Sequence, residues 1–295
     1  MKRLPPFAYF EPSSVAEAAE ILAGEEGSRP LAGGTDLLVD MKTGRAHPAA
    51  LVNLKRIEGL SGVDRVDGHT RIGALASVDA VARSPLVRTT CPALAGAAGA
   101  LASLPVRRLA TIGGNLGRAS PASDLSPALM VLGARIEITG PDGRRDIPVG
   151  ELFRGPGLTS LHAGEVVTAV VVPHGPLRSG SVYLKVGKRG GGTDIAVAGV
   201  AVSIGLGDDG CIAHASVALA SLGPTPLQCE AAEEALRGTT PGGAVFDEAA
   251  AAAADAAEPI SDVRAGAAYR RTLASVLTRR ALGEALAMAR GEEEP

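Results

Sequence analysis

Two short segments combine adjacent glycines with hydrogen-bonding side chains: Ala32-Gly33-Gly34-Thr35-Asp36 and Thr111-Ile112-Gly113-Gly114-Asn115. A Gly-Gly step permits positive φ and lets backbone N–H groups come close to an oxygen ligand. Such N–H groups can hold a pyrophosphate without Lys or Arg, above all beside a helix N-terminus. Thr35, Thr111 and Asn115 add donors for phosphate or sugar oxygens. Either pair alone makes no more than a turn. Together, and followed by the polar run Ala119-Ser120-Pro121-Ala122-Ser123-Asp124, they favour a binding site. Asp124 is also placed to N-cap the helix expected to run through Leu132.

Other chemistries find little support. Gly205-Leu206-Gly207-Asp208-Asp209-Gly210 has G-x-G-x-x-G spacing. A strand pattern rather than a helix follows it, and two aspartates repel a pyrophosphate, so a hairpin turn is predicted there. No P-loop occurs. The histidines (47, 69, 162, 174, 214) are scattered, and none pairs with Cys or an acid at metal-ligand spacing. Cys91, Cys211 and Cys229 are too sparse for an iron–sulfur cluster and odd in number for a disulfide framework, which suggests a reducing compartment. Arg264, Tyr269, Arg270 and Arg271 lie on a helical pattern that explains them as packing and partner contacts, with Tyr269 a cover for an interface.

The elements that must position the glycine segments follow from periodicity. Ser14-Val15-Ala16-Glu17 reads as a capping box opening a short amphipathic helix. RPLAGGTDLLVDMK predicts a strand, a glycine turn and a helix from about Asp36; ALVNL (50–54) predicts another strand. A new unit starts near residue 60, where Asp67-Gly68 suits a tight hairpin turn. Residues 77–83 and 91–103 have helical spacing. RIEITGPDGRRDIPV predicts a second hairpin, and EVVTAVVVP a buried strand ended by Pro173. PHGPLRSGS (173–181) is a linker candidate. Beyond it YLKVGK, DIAVAGVAVSIGL and CIAHASVALASLG predict successive strands, and 229–237, 246–257 and 266–288 predict helices.

Composition sets the limits. Nearly half of the 295 residues are apolar, but Trp is absent and Phe and Tyr are few, so the core must pack small and branched side chains. A net charge of −3, with no basic arm, argues against a primary nucleic-acid role. The start MKRLPPFAYFEP lacks the apolar stretch of a secretion signal. The longest apolar run, Ile195 to Gly207, falls short of the roughly 20 residues of a membrane span. A soluble cytoplasmic protein is expected.

AGGTDLL with TIGGN-x-x-x-ASP-x-x-D resembles the FAD-binding subunits of the molybdenum hydroxylases, the xanthine dehydrogenase and carbon monoxide dehydrogenase groups. YLKVGKRGGGTDIAVAGVAV (183–202) is similar to the family's Lys-x-x-x-Arg…Asp-Ile-Ala segment, and SDVRAGAAYRRTLASVLTRRAL (261–282) to its C-terminal helix signature. Two departures are Gly117-Arg118, where small or amide residues are usual, and RGGGTD, about one residue longer than usual. The resemblance implies an α+β fold: a two-lobed FAD-binding domain of PCMH type (1–56 and 57–175), then an antiparallel sheet with helices (176–290). It implies that 32–37, including Leu37, and 111–115 wrap the FAD pyrophosphate. It further implies that Ser120 and Asp124 lie beside the cofactor, that Val167 faces its flavin or adenine part, and that Lys185 lies near the flavin ring. A cation there stabilises reduced flavin, which tends to carry negative charge near N1. No acid–base residue is expected. The implied partners are an iron–sulfur small subunit with 2Fe-2S clusters and a large subunit with the molybdenum cofactor; the acceptor is NAD, a quinone or oxygen. Competing readings are a stand-alone flavin reductase of the same fold and an assembly subunit that has lost FAD.

Overall fold

A computed structural model describes residues 4–189 and 193–292. The chain opens with β1 (Ala8–Phe10), α1 (Val15–Gly24), β2 (Ser28–Leu31), α2 (Leu37–Thr43) and β3 (Ala50–Asn53). The strands form a parallel sheet in the order β1-β3-β2. All four residues of the central β3 are buried. Ser14 caps α1 by accepting from Glu17 N–H, while the Glu17 carboxylate takes the N–H and hydroxyl of Ser13, one residue before the position that a capping box requires.

Next come β4 (Val63–Val66), β5 (His69–Gly73), α3 (Val78–Arg83), α4 (Pro85–Thr90), α5 (Pro92–Ala100), α6 (Leu104–Leu109), α7 (Ile112–Arg118), α8 (Leu125–Val131), β6 (Arg135–Gly140), β7 (Gly143–Pro148), β8 (Phe153–Gly155), β9 (Leu158–Thr159) and β10 (Val166–Pro173). An antiparallel five-stranded sheet has the order β4-β5-β10-β6-β7, so the last strand lies at its centre. That position explains the nearly continuous apolar sequence of β10. Val167, Val170 and Val172 join the core under the helices, whereas Val166 packs into the cluster that includes Ala18 of α1. A bulge between Val167 and Ala169 accompanies this change of face. The helix α4, absent from the sequence expectation, starts at Ser84-Pro85, a serine cap followed by proline in the first turn.

The remaining elements are β11 (Ser179–Gly187), β12 (Ala196–Leu206), β13 (Ile212–Ala220), β14 (Leu227–Gln228), α9 (Glu230–Leu236), α10 (Gly243–Ala256) and α11 (Ala267–Arg290). The strands form an antiparallel sheet in chain order, and Leu206 to Ile212 makes the hairpin turn expected for the glycine–aspartate run. All eleven residues of β12 are buried, because both sheet faces are covered. Val200, Val202 and Ile204 pack with α9, α10 and α11, while Ala201, Ala218 and Tyr183 join the core built by α5 and α8. Arg270 of α11 is fully buried: its guanidinium donates to the carbonyls of Val197 and Ser221 and to the Asp262 carboxylate. The glycines of RGGGTD (190–192), the run expected to be longer than usual, lie outside the described residues.

Candidate functional site

The two glycine segments meet. A Cβ on Gly33 would stand 2.0 Å from the carbonyl oxygen of Leu109, so only glycine lets β2's exit cross the end of α6. A Cβ on Gly114 would be 3.6 Å from the Ala32 methyl, which puts the start of α7 against the same turn. Gly34 has φ +71°, the left-handed conformation that turns the chain into α2. Arg118 at the end of α7 fastens the pair: it lies 2.9 Å from Asp40 and 4.0 Å from Asp36. Arg118 thus clamps α7 to α2.

The segments differ in what they offer a ligand. Among the described residues, nothing accepts from the N–H groups of Gly34, Thr35 and Asp36. The second segment corrects the expectation of a matching turn. Thr111 is the N-cap of α7, and Gly113 and Gly114 already lie inside that helix, without positive φ. Their amides are engaged: Gly113 N–H donates to Ala74 O at 2.8 Å and Gly114 N–H to Thr111 Oγ1 at 3.0 Å. Ile112 N–H likewise donates to Ala76 O, and Asn115 N–H to Thr111 O. Gly113 is glycine because a Cβ would come within 2.7 Å of the Ala74 methyl. The donors this segment leaves open, among the described residues, are the Thr111 hydroxyl, which only accepts, and the side-chain amide of Asn115, whose Oδ1 accepts from Ser123 Oγ at 2.7 Å.

Between the segments lies a cavity of about 230 Å³ walled by Ala32, Leu75 and Leu109, with Gly33 and Thr111 on the glycine side. Lys55 and Arg108 line it too, two cations to which the sequence reading gave no role. Free amides, glycines pressed against backbone and an open cavity fit a phosphate-bearing cofactor such as FAD.

The run after α7 carries the site to the C-terminal sheet. Ser120 Oγ accepts from Ala122 N–H at 3.3 Å, and Pro121 O takes the N–H of Ser221. Ser123 caps α8 by accepting from Ser126 N–H, so the capping role expected of Asp124 belongs to its neighbour. Asp124 instead accepts from Tyr183 Oη at 2.6 Å and from Lys185 Nζ at 3.0 Å. Lys185 is no surface lysine: its side chain is 5% exposed and also donates to Asp194 O. Burial raises the Asp124 pKa, against the opposing pull of the Lys185 charge and the Tyr183 hydroxyl. Burial first, then the Asp124 charge and hydrogen bond, pushes the Tyr183 hydroxyl well above its usual value, so it remains a donor. A Cβ on Gly199, the cross-strand neighbour of Lys185, would come within 2.5 Å of Tyr183 Oη.

Tyr183 was missed as a site residue, although its signal was present. On a strand, residues two apart share a face, so whatever Lys185 meets Tyr183 meets as well. Val167 is buried in the core under the helices, on the strand against which α7 packs. Leu37 opens α2 at the end of the first segment. Among the described residues no group of three or more His, Cys, Asp or Glu is placed to hold a metal, and no helix is long and apolar enough to cross a membrane.

Comparison with known proteins gives the family. Residues 5–175 match the family model for the FAD binding domain in molybdopterin dehydrogenase, and 182–285 that for the CO dehydrogenase flavoprotein C-terminal domain. Fold and site thus define an FAD-binding flavoprotein subunit of an oxidoreductase. The carbon monoxide dehydrogenase medium chain of Afipia carboxidovorans is 35% identical over 96% of this chain and 98% of its own. The nicotine 6-hydroxylase medium subunit of Paenarthrobacter nicotinovorans is 31% identical over 96% and 98%. A chain in the solved carbon monoxide dehydrogenase of Hydrogenophaga pseudoflava superposes with a TM-score of 0.93 at 35% identity, covering 97% of this chain and 99% of that one. The chain belongs to the molybdenum hydroxylase family, among its FAD-binding medium subunits.

Proposed function

We propose that this chain is the electron-transfer subunit of a three-part molybdenum hydroxylase. In this reading it takes electrons from 2Fe-2S clusters of a small partner subunit, fed in turn by the molybdenum cofactor of a large one, and passes them to NAD, a quinone or oxygen. FAD supplies the redox chemistry when bound; the chain positions it and sets its potential. Residues 32–37 and 111–115 hold the pyrophosphate and its neighbouring sugar chain, with donation from the free amides of the first segment and the side chain of Asn115. Ser120, Asp124 and Val167 border the cofactor, and Lys185 places a cation near the flavin ring. Residues 1–56 and 57–175 act as the two lobes of the clamp, and 176–290 as the domain that delivers Lys185. A cytoplasmic setting accords with free Cys91, Cys211 and Cys229.

The observation that carries this reading is the meeting of the two segments around a cavity with unengaged amides beside it. Its test is the visible absorption spectrum of the purified full chain, followed by release and identification of any flavin. FAD near one per chain supports the reading. No binding after reconstitution, with the partner subunits present, removes it and favours an assembly protein.

A further inference from the structure

We propose that Lys55 and Arg108 form a cationic mouth to the cofactor cavity and bind the anionic pyrophosphate of the dinucleotide, so that they set the preference of this chain for FAD over flavins without phosphate. The inference rests on the reading that FAD lies between the two glycine segments.

The cavity that has Gly33 and Thr111 on its wall also has both cations on its wall. They reach it from different parts of the chain. Lys55 stands in the short 3-10 turn after β3, where the Asn53 side chain accepts from its N–H. Arg108 is in the last turn of α6, next to the Leu109 carbonyl on which Gly33 rests. Neither charge is well neutralised. Lys55 has no carboxylate within ion-pair distance among the described residues, and Arg108 meets only Asp79, at 3.9 Å. That carboxylate is shared with Arg83 at 4.0 Å. Asp36 of the first segment and Asp40 of α2 face Arg118 instead. In a chain of net charge −3, two scarcely paired cations on one small cavity make a local attraction for an anion. Gly34, Thr35 and Asp36, which follow directly on Gly33 of that wall, carry free amides that ask for the same kind of ligand. A pyrophosphate meets both; neutral riboflavin meets neither. The apolar wall of Leu75 and Leu109 is indifferent to that difference, so discrimination falls to the cations and amides.

The test compares FAD and riboflavin binding by the full-length chain, followed by flavin fluorescence, for wild type, Lys55→Gln/Arg108→Gln and the charge-keeping Lys55→Arg/Arg108→Lys. Both side chains are largely exposed, so the fold tolerates both variants. The double Gln variant is expected to lose about tenfold in FAD affinity, the sum of two exposed charge contacts, with riboflavin unchanged within about twofold. Added salt weakens FAD binding to wild type and to the charge-keeping variant, and much less to the double Gln variant. Equal FAD affinity in wild type and the double Gln variant overturns the inference, as does a parallel loss of riboflavin. If wild type, with its partners present, binds no FAD, the function proposed above is the one that fails.

Discussion

The Lys185–Asp124 pair, with side chains 5% and 7% exposed, has little water to replace either partner. Removing one leaves the other as an uncompensated buried charge, at a cost of about 3–5 kcal/mol. Lys185→Met is therefore expected to lower Tm by many degrees, and in the FAD-loaded complex to make the flavin midpoint potential more negative, read by spectroelectrochemistry. Tyr183→Phe deletes one hydrogen bond to a charged group, worth about 1.5–3 kcal/mol, and keeps the ring. A smaller Tm loss than Lys185→Met is expected there. An unchanged flavin potential in Lys185→Met would separate the stabilising role of the pair from its proposed electronic role. At this scale the sequence exposed residue types but not their partners. Asp124 stood before a helix and could equally have capped it; that Ser123 does so instead depends on where β11 brings Tyr183 and Lys185, about sixty positions later. No local pattern encodes that meeting.

Elements convert glycines into geometry. Gly33 touches the Leu109 carbonyl through a backbone contact that neither partner can relax by rotating a side chain. Gly33→Ala is expected to push β2's exit away from α6 and abolish FAD retention during gel filtration, while far-ultraviolet circular dichroism stays close to wild type. A different element pair gives a pH signature. Arg145 of β7 grips Glu165, just before β10, with Nε 2.6 Å and a second nitrogen 2.7 Å from its two oxygens, and His162 N–H also donates to it. The Arg145 hydrogen bonds hold the Glu165 pKa below its usual value, against partial burial. Its contribution to stability is therefore present above the unfolded-state pKa and is lost as pH falls through the lower folded-state value. Glu165→Gln should reduce Tm at neutral pH and flatten its acid limb; an acid limb of unchanged slope would refute this. The hairpins were legible because Asp67-Gly68 and Pro141-Asp142-Gly143 carry turn chemistry in four residues or fewer. The N-terminus of α7 was not, since its first amides are answered by Ala74 and Ala76, more than thirty residues away. Seen only as a sequence, Gly113-Gly114 looks like Gly33-Gly34.

Across the whole molecule, the chain is held together by layers. Helices α5 and α8 belong to the first 175 residues, yet they cover one face of the C-terminal sheet through Tyr183, Ala201 and Ala218. The opposite face is closed by α9, α10 and α11. The long apolar run of β12 was legible as a strand, but burial of both its faces was not anticipated, although its uniform hydrophobicity accords with it. The identity of the covering helices was not legible, because Ala-rich segments such as 91–100 offer small faces that suit many neighbours. This double coverage has a consequence for biosynthesis. As the ribosome works from the amino end, α5 and α8 emerge with an uncovered apolar flank and must wait for β11–β13 before it is shielded. A fragment comprising residues 1–175 should thus be sticky when expressed alone, as should one comprising 176–295, and co-expressing the two halves should restore solubility to both. Two halves that each behave as well-dispersed monomers would contradict that expectation. Such mutual dependence makes the unbroken chain its own chaperone: whichever half is finished first stays a client until the other arrives.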